Sequence, residues 1–196
     1  MLLESIHKRP QMPDSIFYHH TAMASQSTFG DVVRTIKNRT DKNGKHWVTG
    51  YHCVILADGS ISPFCRWDRY GNQVTGYNAT SLGIAFNGNF ETDPKIPFSN
   101  PDGRFGSPFP TEIQVNSGAR VVALWSMLYD IPLDFSKSIR PHHAVSSKTC
   151  PGSNFTDEQF KNMVTGFCTH WKNTPAIMEK LAQYRLKPFI IDKNWR

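Results

Sequence analysis

The sequence lacks the features of membrane-spanning, disulfide-rich and disordered proteins. Its apolar runs are only a few residues long, so no segment is expected to span a membrane. Four cysteines in 196 residues, with no Cys-x-x-Cys pair, do not make a disulfide scaffold. Hydrophobic residues make up 39% of the chain and charged residues only 19%. Such a composition can bury a sizeable core, which excludes wholesale disorder.

The N-terminus lacks the pattern of a secretory signal peptide. It begins Met-Leu-Leu-Glu-Ser-Ile-His-Lys, with an acidic residue where a signal peptide has a cationic start and then a long apolar stretch. We therefore expect synthesis in a (host) cytoplasm without a classical signal peptide.

Positive charge is in excess over the whole chain. Lys and Arg number 22 and Asp and Glu 16, a net charge of +6, which favours an anionic partner. Residues 171–196 carry six basic and two acidic residues, so most of the excess lies there. Charge alone does not choose among a nucleic acid, a membrane and a cell wall as that partner. No basic–aromatic motif typical of nucleic-acid binding occurs, so no nucleic-acid partner is expected.

Hydrophobic periodicity predicts both strands and helices. Strands are expected at 15–18, 51–56 and 81–86, and Asp58-Gly59 predicts a type I′ hairpin turn leading into Ser60-Ile61. Helices are expected from an N-cap at Thr28, from Thr111 to about Tyr129, after Thr156, and at Thr174-Pro175. The helix after Thr111 is expected to turn five residues inward: Ile113, Val121, Leu124, Trp125 and Leu128. Residues 91–110 hold five prolines, which predicts a long loop.

Metal-ligand residue types concentrate in three segments: Phe17-Tyr-His-His-Thr-Ala, Gly50-Tyr-His, and Arg140-Pro-His-His through Cys150-Pro. A His and a Cys eight residues apart, joined by a distant His, can form a tetrahedral zinc site with one open position. Open zinc activates water and polarises a carbonyl, as amide hydrolysis requires. Neighbouring side chains on a strand point to opposite faces. Only one of His19 and His20 is therefore expected to face such a site. At this level His20, His52 and His143 could each be a ligand or a packing or supporting residue.

Four motifs together resemble the zinc-dependent N-acetylmuramoyl-L-alanine amidases of the amidase-2 and peptidoglycan-recognition-protein superfamily, above all the short phage lysozyme-amidases. They are Phe17-Tyr-His-His-Thr-Ala, Gly50-Tyr-His-Cys-Val-Ile with Asp58-Gly, Gly76-Tyr-Asn-Ala-Thr-Ser-Leu-Gly-Ile, and Arg140-Pro-His-His with Lys148-Thr-Cys-Pro. The resemblance covers about residues 14–155. It implies an α/β (α+β) fold with a single mixed central β-sheet flanked by helices. The implied organisation is a catalytic domain at 1–155 and a C-terminal helical extension at 156–196, packed on the same domain.

The resemblance also implies the site residues and the reaction. His19, His142 and Cys150 match the Zn²⁺ ligands, since the first member of each His-His pair is the ligand in the family. His20, His52 and His143 are then expected to be packing or supporting residues. Tyr51 and Lys148 match the residues that assist hydrolysis in the phage branch. Zinc-activated water would attack the lactoyl carbonyl between muramic acid and L-alanine of peptidoglycan (murein). The glutamate of cytosolic relatives is replaced by Ala85, which favours the tyrosine–lysine version. A histidine common in relatives is replaced by Gln73, which puts one substrate-contacting histidine in doubt.

Several alternatives stay open at this point. We favour a monomeric phage endolysin that acts on peptidoglycan in the periplasm or cell wall. Its basic C-terminal tail is then expected to bind an acidic cell envelope. A secreted antibacterial effector, a non-catalytic peptidoglycan-recognition module and a regulatory contact with an RNA polymerase are the other hypotheses. Cys53 and Cys65 could form a redox pair or be plain buried thiols, and Cys168 is expected in the core. Three aromatic residues could line a sugar-binding rim or belong to the core: Trp47, Trp67 and Tyr77.

Overall fold

A computed structural model describes residues 7–41 and 43–185. A five-stranded sheet lies at its centre, with the strand order β3-β2-β4-β1-β5. The strands are β1 (Ser15–His20), β2 (Cys53–Ile55), β3 (Ile61–Pro63), β4 (Ser81–Phe86) and β5 (Ile139–Pro141). β3 runs antiparallel to β2, whereas the other neighbouring pairs are parallel. The expected α/β fold with one mixed central sheet is confirmed, although β5 was not predicted as a strand.

In the described part of the chain, four α-helices flank the sheet: α1 (Phe29–Lys37), α2 (Glu112–Tyr129), α3 (Asp157–Lys172) and α4 (Pro175–Arg185). A short 3-10 helix, His142–Val145, follows β5 directly. All four α-helices begin where the sequence predicts. Thr28 caps α1 through a capping box, in which its side chain accepts the Asp31 N–H and Asp31 accepts the Thr28 N–H.

The two faces of the sheet are covered by different helices. Alternate residues of β1, among them Ile16 and Tyr18, pack in the main core with α2 and α3. On the other face, Val54 of β2 packs against Val32 and Ile36 of α1. The parallel strands are therefore buried on both sides, as parallel sheets generally are.

Two local expectations are wrong. Ile113 is 58% exposed rather than turned inward, because it lies in the first turn of α2 beside the hairpin loop. The β2–β3 loop is not a type I′ turn, since that turn needs positive φ at both central residues. Asp58 is not among the residues with positive φ, while Gly59 has φ +84. A Gly59 N–H to Leu56 carbonyl bond closes the turn, and the glycine takes up the left-handed position after it.

The last two helices pack against the rest of the domain. Phe160, Val164 and Cys168 form the buried stripe of α3 in the main core. The Tyr18 hydroxyl donates to the Asp157 carboxylate at 2.6 Å, which ties β1 to the start of α3. α4 is joined to the end of α2, where Arg185 donates to the Met127 carbonyl and to Asp130. Of the basic tail at 171–196, residues 186–196 lie outside the described part of the chain.

Among the described residues, no helix is both long enough and apolar enough to cross a membrane.

Candidate metal centre and active site

Parallel pairing places two of the predicted ligands side by side. In the β1–β5 register Tyr18 is opposite Pro141. The residues that follow them, His19 in β1 and His142 directly after β5, therefore lie at the same end of the sheet. The carboxyl ends of parallel strands commonly carry the functional groups of such sheets. The rings of these two histidines lie 4.6 Å apart, centroid to centroid.

Cys150 completes a three-residue cluster. One ligand atom from each of His19, His142 and Cys150 lies within 4.8 Å of the others, and Cys150 Sγ is 3.6 Å from His19 Nδ1. All three side chains are buried. The chain returns to place Cys150 because the His143 N–H donates to the Cys150 carbonyl at 2.8 Å. Two imidazoles and a thiol at these separations fit zinc with a fourth position left for substrate.

Burial controls the protonation of this cluster. It lowers the pKa of His19 well below the usual value and that of His142 to about 4, with the Lys148 ammonium acting in the same direction on both. Both rings are therefore neutral near pH 7 and can offer a lone pair to a cation. Burial raises the pKa of the Cys150 thiol to about 12, and a 3.4 Å contact from the His20 N–H opposes this shift. A bound metal would displace that thiol proton.

The cluster lies in a cavity of about 130 Å³ that also contains the predicted catalytic residues. Tyr51 is half-buried, with its ring 5.1 Å from that of His19, and burial raises its pKa, so its hydroxyl is protonated at neutral pH. Lys148 is exposed and lines both this cavity and a neighbouring one of about 370 Å³. Arg39, from the loop after α1, is a lining residue that no sequence motif marked.

The other histidines of the three motifs lie outside the cluster. His20 points to the opposite face of β1, where its Nδ1 accepts the Phe90 N–H. His52 is buried, with Nδ1 accepting the Gly83 N–H. His143 is exposed and lines the neighbouring cavity.

The structure also distinguishes between the alternatives for the three aromatic residues and for the cysteines. Trp47 lines the cavity, whereas Trp67 packs edge-on against Trp125 in the core and Tyr77 packs against Phe17. All four cysteines are free and buried, so Cys53 and Cys65 are not disulfide-bonded, and Cys168 lies in the core.

Gln73 has a position that the sequence alone did not reveal. Its side-chain oxygen lies 2.7 Å from His19 Nε2, on the side of the ring away from Cys150. The sequence singled out this residue only as a missing histidine. Its contact with a candidate ligand depends on the folding of the long loop between β3 and β4.

Taken together, the mixed sheet and the buried His–His–Cys cluster at its carboxyl edge define an α/β protein with a candidate catalytic metal centre. The chain belongs to the N-acetylmuramoyl-L-alanine amidase family Amidase_2, whose pattern matches residues 8–153. Members of this family are amide hydrolases, and this chain is an enzyme of that kind.

Curated relatives include phage endolysins. The endolysin of Klebsiella phage KP32 is 29% identical over 143 residues, covering 72% of this chain and 82% of the relative. The endolysin of Escherichia phage T7 is 27% identical over 146 residues, covering 74% and 83%.

Solved structures agree on the fold. The amidase LysC from Clostridium intestinale URNW matches 79% of this chain and 86% of its own, with a TM-score of 0.59 and 26% identity. Drosophila PGRP-LB has the same TM-score at 20% identity, covering 81% and 85%, which supports the fold alone.

Proposed function

We propose that this protein is a zinc-dependent phage endolysin that hydrolyses the amide bond between N-acetylmuramic acid and L-alanine in peptidoglycan. The observation that carries the proposal is the buried His19–His142–Cys150 cluster in a cavity that also contains Tyr51 and Lys148. The same set of residue types at a sheet edge is suited to hold a metal and to act on a carbonyl group.

In this proposal His19, His142 and Cys150 hold the zinc ion. When bound, zinc supplies Lewis acidity, which polarises the scissile carbonyl and makes water nucleophilic near neutral pH. The protein must still stabilise the negative charge that develops on the carbonyl oxygen and protonate the leaving amine of L-alanine.

Tyr51 and Lys148 are suited to those two tasks. Lys148 carries a positive charge at the rim of the cavity, close enough to influence the protonation of all three cluster residues. A cation and a protonated phenol can stabilise an oxyanion by charge and hydrogen bonding. Among the described residues, no carboxylate lines this cavity, and Ala85 leaves β4 without one. Proton transfer would therefore pass through Tyr51 and Lys148.

The surroundings of the site suit a polymeric substrate. The cavity that holds the cluster is small, but Lys148 joins it to the larger neighbouring cavity, whose lining includes Glu91, Asp93 and His143. A glycan strand or its stem peptide could thus extend past the reacting bond. We further propose that the enzyme is a monomer made in the host cytoplasm that acts on peptidoglycan in the periplasm. Its basic C-terminal tail would meet the acidic envelope.

The experiment combines metal analysis with hydrolysis of purified sacculi. The wild-type protein should contain stoichiometric zinc and release free L-alanine amino groups by cutting the muramoyl–L-alanine bond. Cys150→Ser should lose both zinc and activity. Cys168→Ser, which replaces another buried free cysteine whose thiol contacts the Ala123 carbonyl of α2 and is not part of the cluster, should keep both. A zinc-free, inert wild-type protein that still binds sacculi would refute the proposal in favour of a recognition module.

A further inference from the structure

A chain of hydrogen bonds leads from a backbone carbonyl to the candidate ligand His19. The Ser81 hydroxyl donates to the Tyr77 carbonyl at 2.7 Å, and it accepts from the Gln73 side-chain nitrogen at 2.6 Å. The Gln73 side-chain oxygen then faces His19 Nε2 at 2.7 Å. Gln73 and Ser81 are both buried, so water does not compete for these bonds.

The Tyr77 carbonyl sets the direction of every hydrogen bond in this series. A backbone carbonyl only accepts, so it takes the single proton of the Ser81 hydroxyl. The hydroxyl oxygen then accepts from the Gln73 NH₂ group, which turns the amide oxygen toward His19. An amide oxygen only accepts, so His19 Nε2 must carry the ring proton. In the neutral ring the lone pair is then on Nδ1, the atom 3.6 Å from Cys150 Sγ.

Packing holds the Gln73 amide in this place. The backbone N–H groups of Gln73 and Val74 both donate to the Asn78 side-chain oxygen, at 2.9 and 3.0 Å. The amide lies directly over Gly83 of β4, where an added Cβ would be only 2.7 Å from Gln73 Cδ. A side chain at position 83 would therefore push the amide away from His19. The glycine of the Gly-Ile motif has a structural role at this site.

We propose that Gln73 is a positioning residue that holds His19 in the Nε2–H tautomer, so that Nδ1 is presented to zinc. The proposal rests on the zinc site of the proposed function and adds a residue to it. A hydrogen bond to the outer nitrogen of a ligating histidine fixes the ring and its tautomer, and removing such a partner typically weakens metal affinity about 10–100-fold.

The test compares Gln73→Met with Gln114→Met. Both replace a buried glutamine with an apolar side chain of similar length, but Gln114 donates to the Ile55 and Asn87 carbonyls and does not line the cavity. Zinc dissociation constants are measured by competition with a chromophoric chelator, and the His19 tautomer in the metal-free protein by ¹H–¹⁵N NMR of the ring nitrogens. We expect Gln73→Met to bind zinc about 10–100-fold more weakly and to lose the Nε2–H preference. Gln114→Met should change neither.

Gln73→Glu provides a second, conservative variant. Its carboxylate still accepts from His19 Nε2, and Ser81 can redirect its proton to the other carboxylate oxygen. Zinc affinity should equal or exceed that of the wild type, because a carboxylate partner raises ligand basicity. Unchanged affinity and tautomer in Gln73→Met, or weaker binding in Gln73→Glu, would overturn the positioning role while leaving the zinc site intact. Absence of zinc binding by the wild-type protein would instead overturn the zinc site itself.

Discussion

Truncation of Phe160 would test whether helix α3 belongs to the core of the catalytic domain. The Phe160 side chain has no exposed surface, and its ring lies 5.0 Å from that of Tyr18 and 5.5 Å from that of Phe86. These partners belong to β1 and β4, the strands that carry His19 and support the site. Phe160→Ala should therefore remove a large apolar group from a place that cannot refill it. We expect the free energy of unfolding to fall by about 3–5 kcal/mol.

The assay is equilibrium unfolding in urea, followed by fluorescence and circular dichroism. For a chain of this length, such a loss corresponds to a melting temperature lowered by about 6–20 °C. Phe98→Ala is the matched control, because Phe98 is 79% exposed and its truncation should change stability by less than about 0.5 kcal/mol. Phe160→Leu should cost clearly less than the alanine variant, since most of the buried volume is kept.

The expected result is one cooperative transition at lower urea with an unchanged slope. A loss below about 1 kcal/mol for Phe160→Ala would mean that the surrounding core closes over the space left by the ring, or that α3 contributes little to the core. A separate early transition confined to the helices would mean that residues 156–196 form an independent unit. The separate transition would refute the expectation that the C-terminal extension packs on the same domain, and the small loss would refute the contribution expected of Phe160.

Two further predictions concern the site and its link to α3. Tyr51→Phe should lower kcat for sacculus hydrolysis about 10²–10³-fold with unchanged zinc content, because it removes a hydrogen-bond donor and keeps the ring. Near-normal turnover would exclude the hydroxyl from catalysis. Tyr18→Phe should cost about 1.5–3 kcal/mol of stability, since it deletes the 2.6 Å bond to the Asp157 carboxylate, and it should leave zinc content unchanged. Chemical denaturation checks the loss of stability in Tyr18→Phe, and metal analysis of the same samples checks its zinc content. Loss of zinc would show that this hydrogen bond also shapes the metal site.

Local signals in the sequence were sufficient for the elements that depend on nearest neighbours along the chain. Thr28 and Asp31 predict the start of α1 because both partners of the capping box lie within one turn. The β2–β3 loop was predicted less well, because Asp-Gly is compatible with several turns and the φ of Asp58 decides among them. Ile113 was wrongly predicted to face inward for a related reason. Its spacing is helical, but the first turn of α2, to which it belongs, lies beyond the edge of the core.

By itself, the sequence determined the residue types of the candidate site, their order and the family to which the chain belongs. Alternation along a strand, a local property of extended backbone, predicts that His19 and His20 point to opposite faces, and the family resemblance indicated His19 as the ligand. Only the tertiary structure brought His19, His142 and Cys150 together, since that depends on the pairing of β1 with β5 across more than a hundred residues. The contacts behind the role proposed for Gln73 also depend on the tertiary structure alone. Its contacts with His19 and Ser81 join three separate segments, and no pattern within one segment encodes the direction of a hydrogen bond between them.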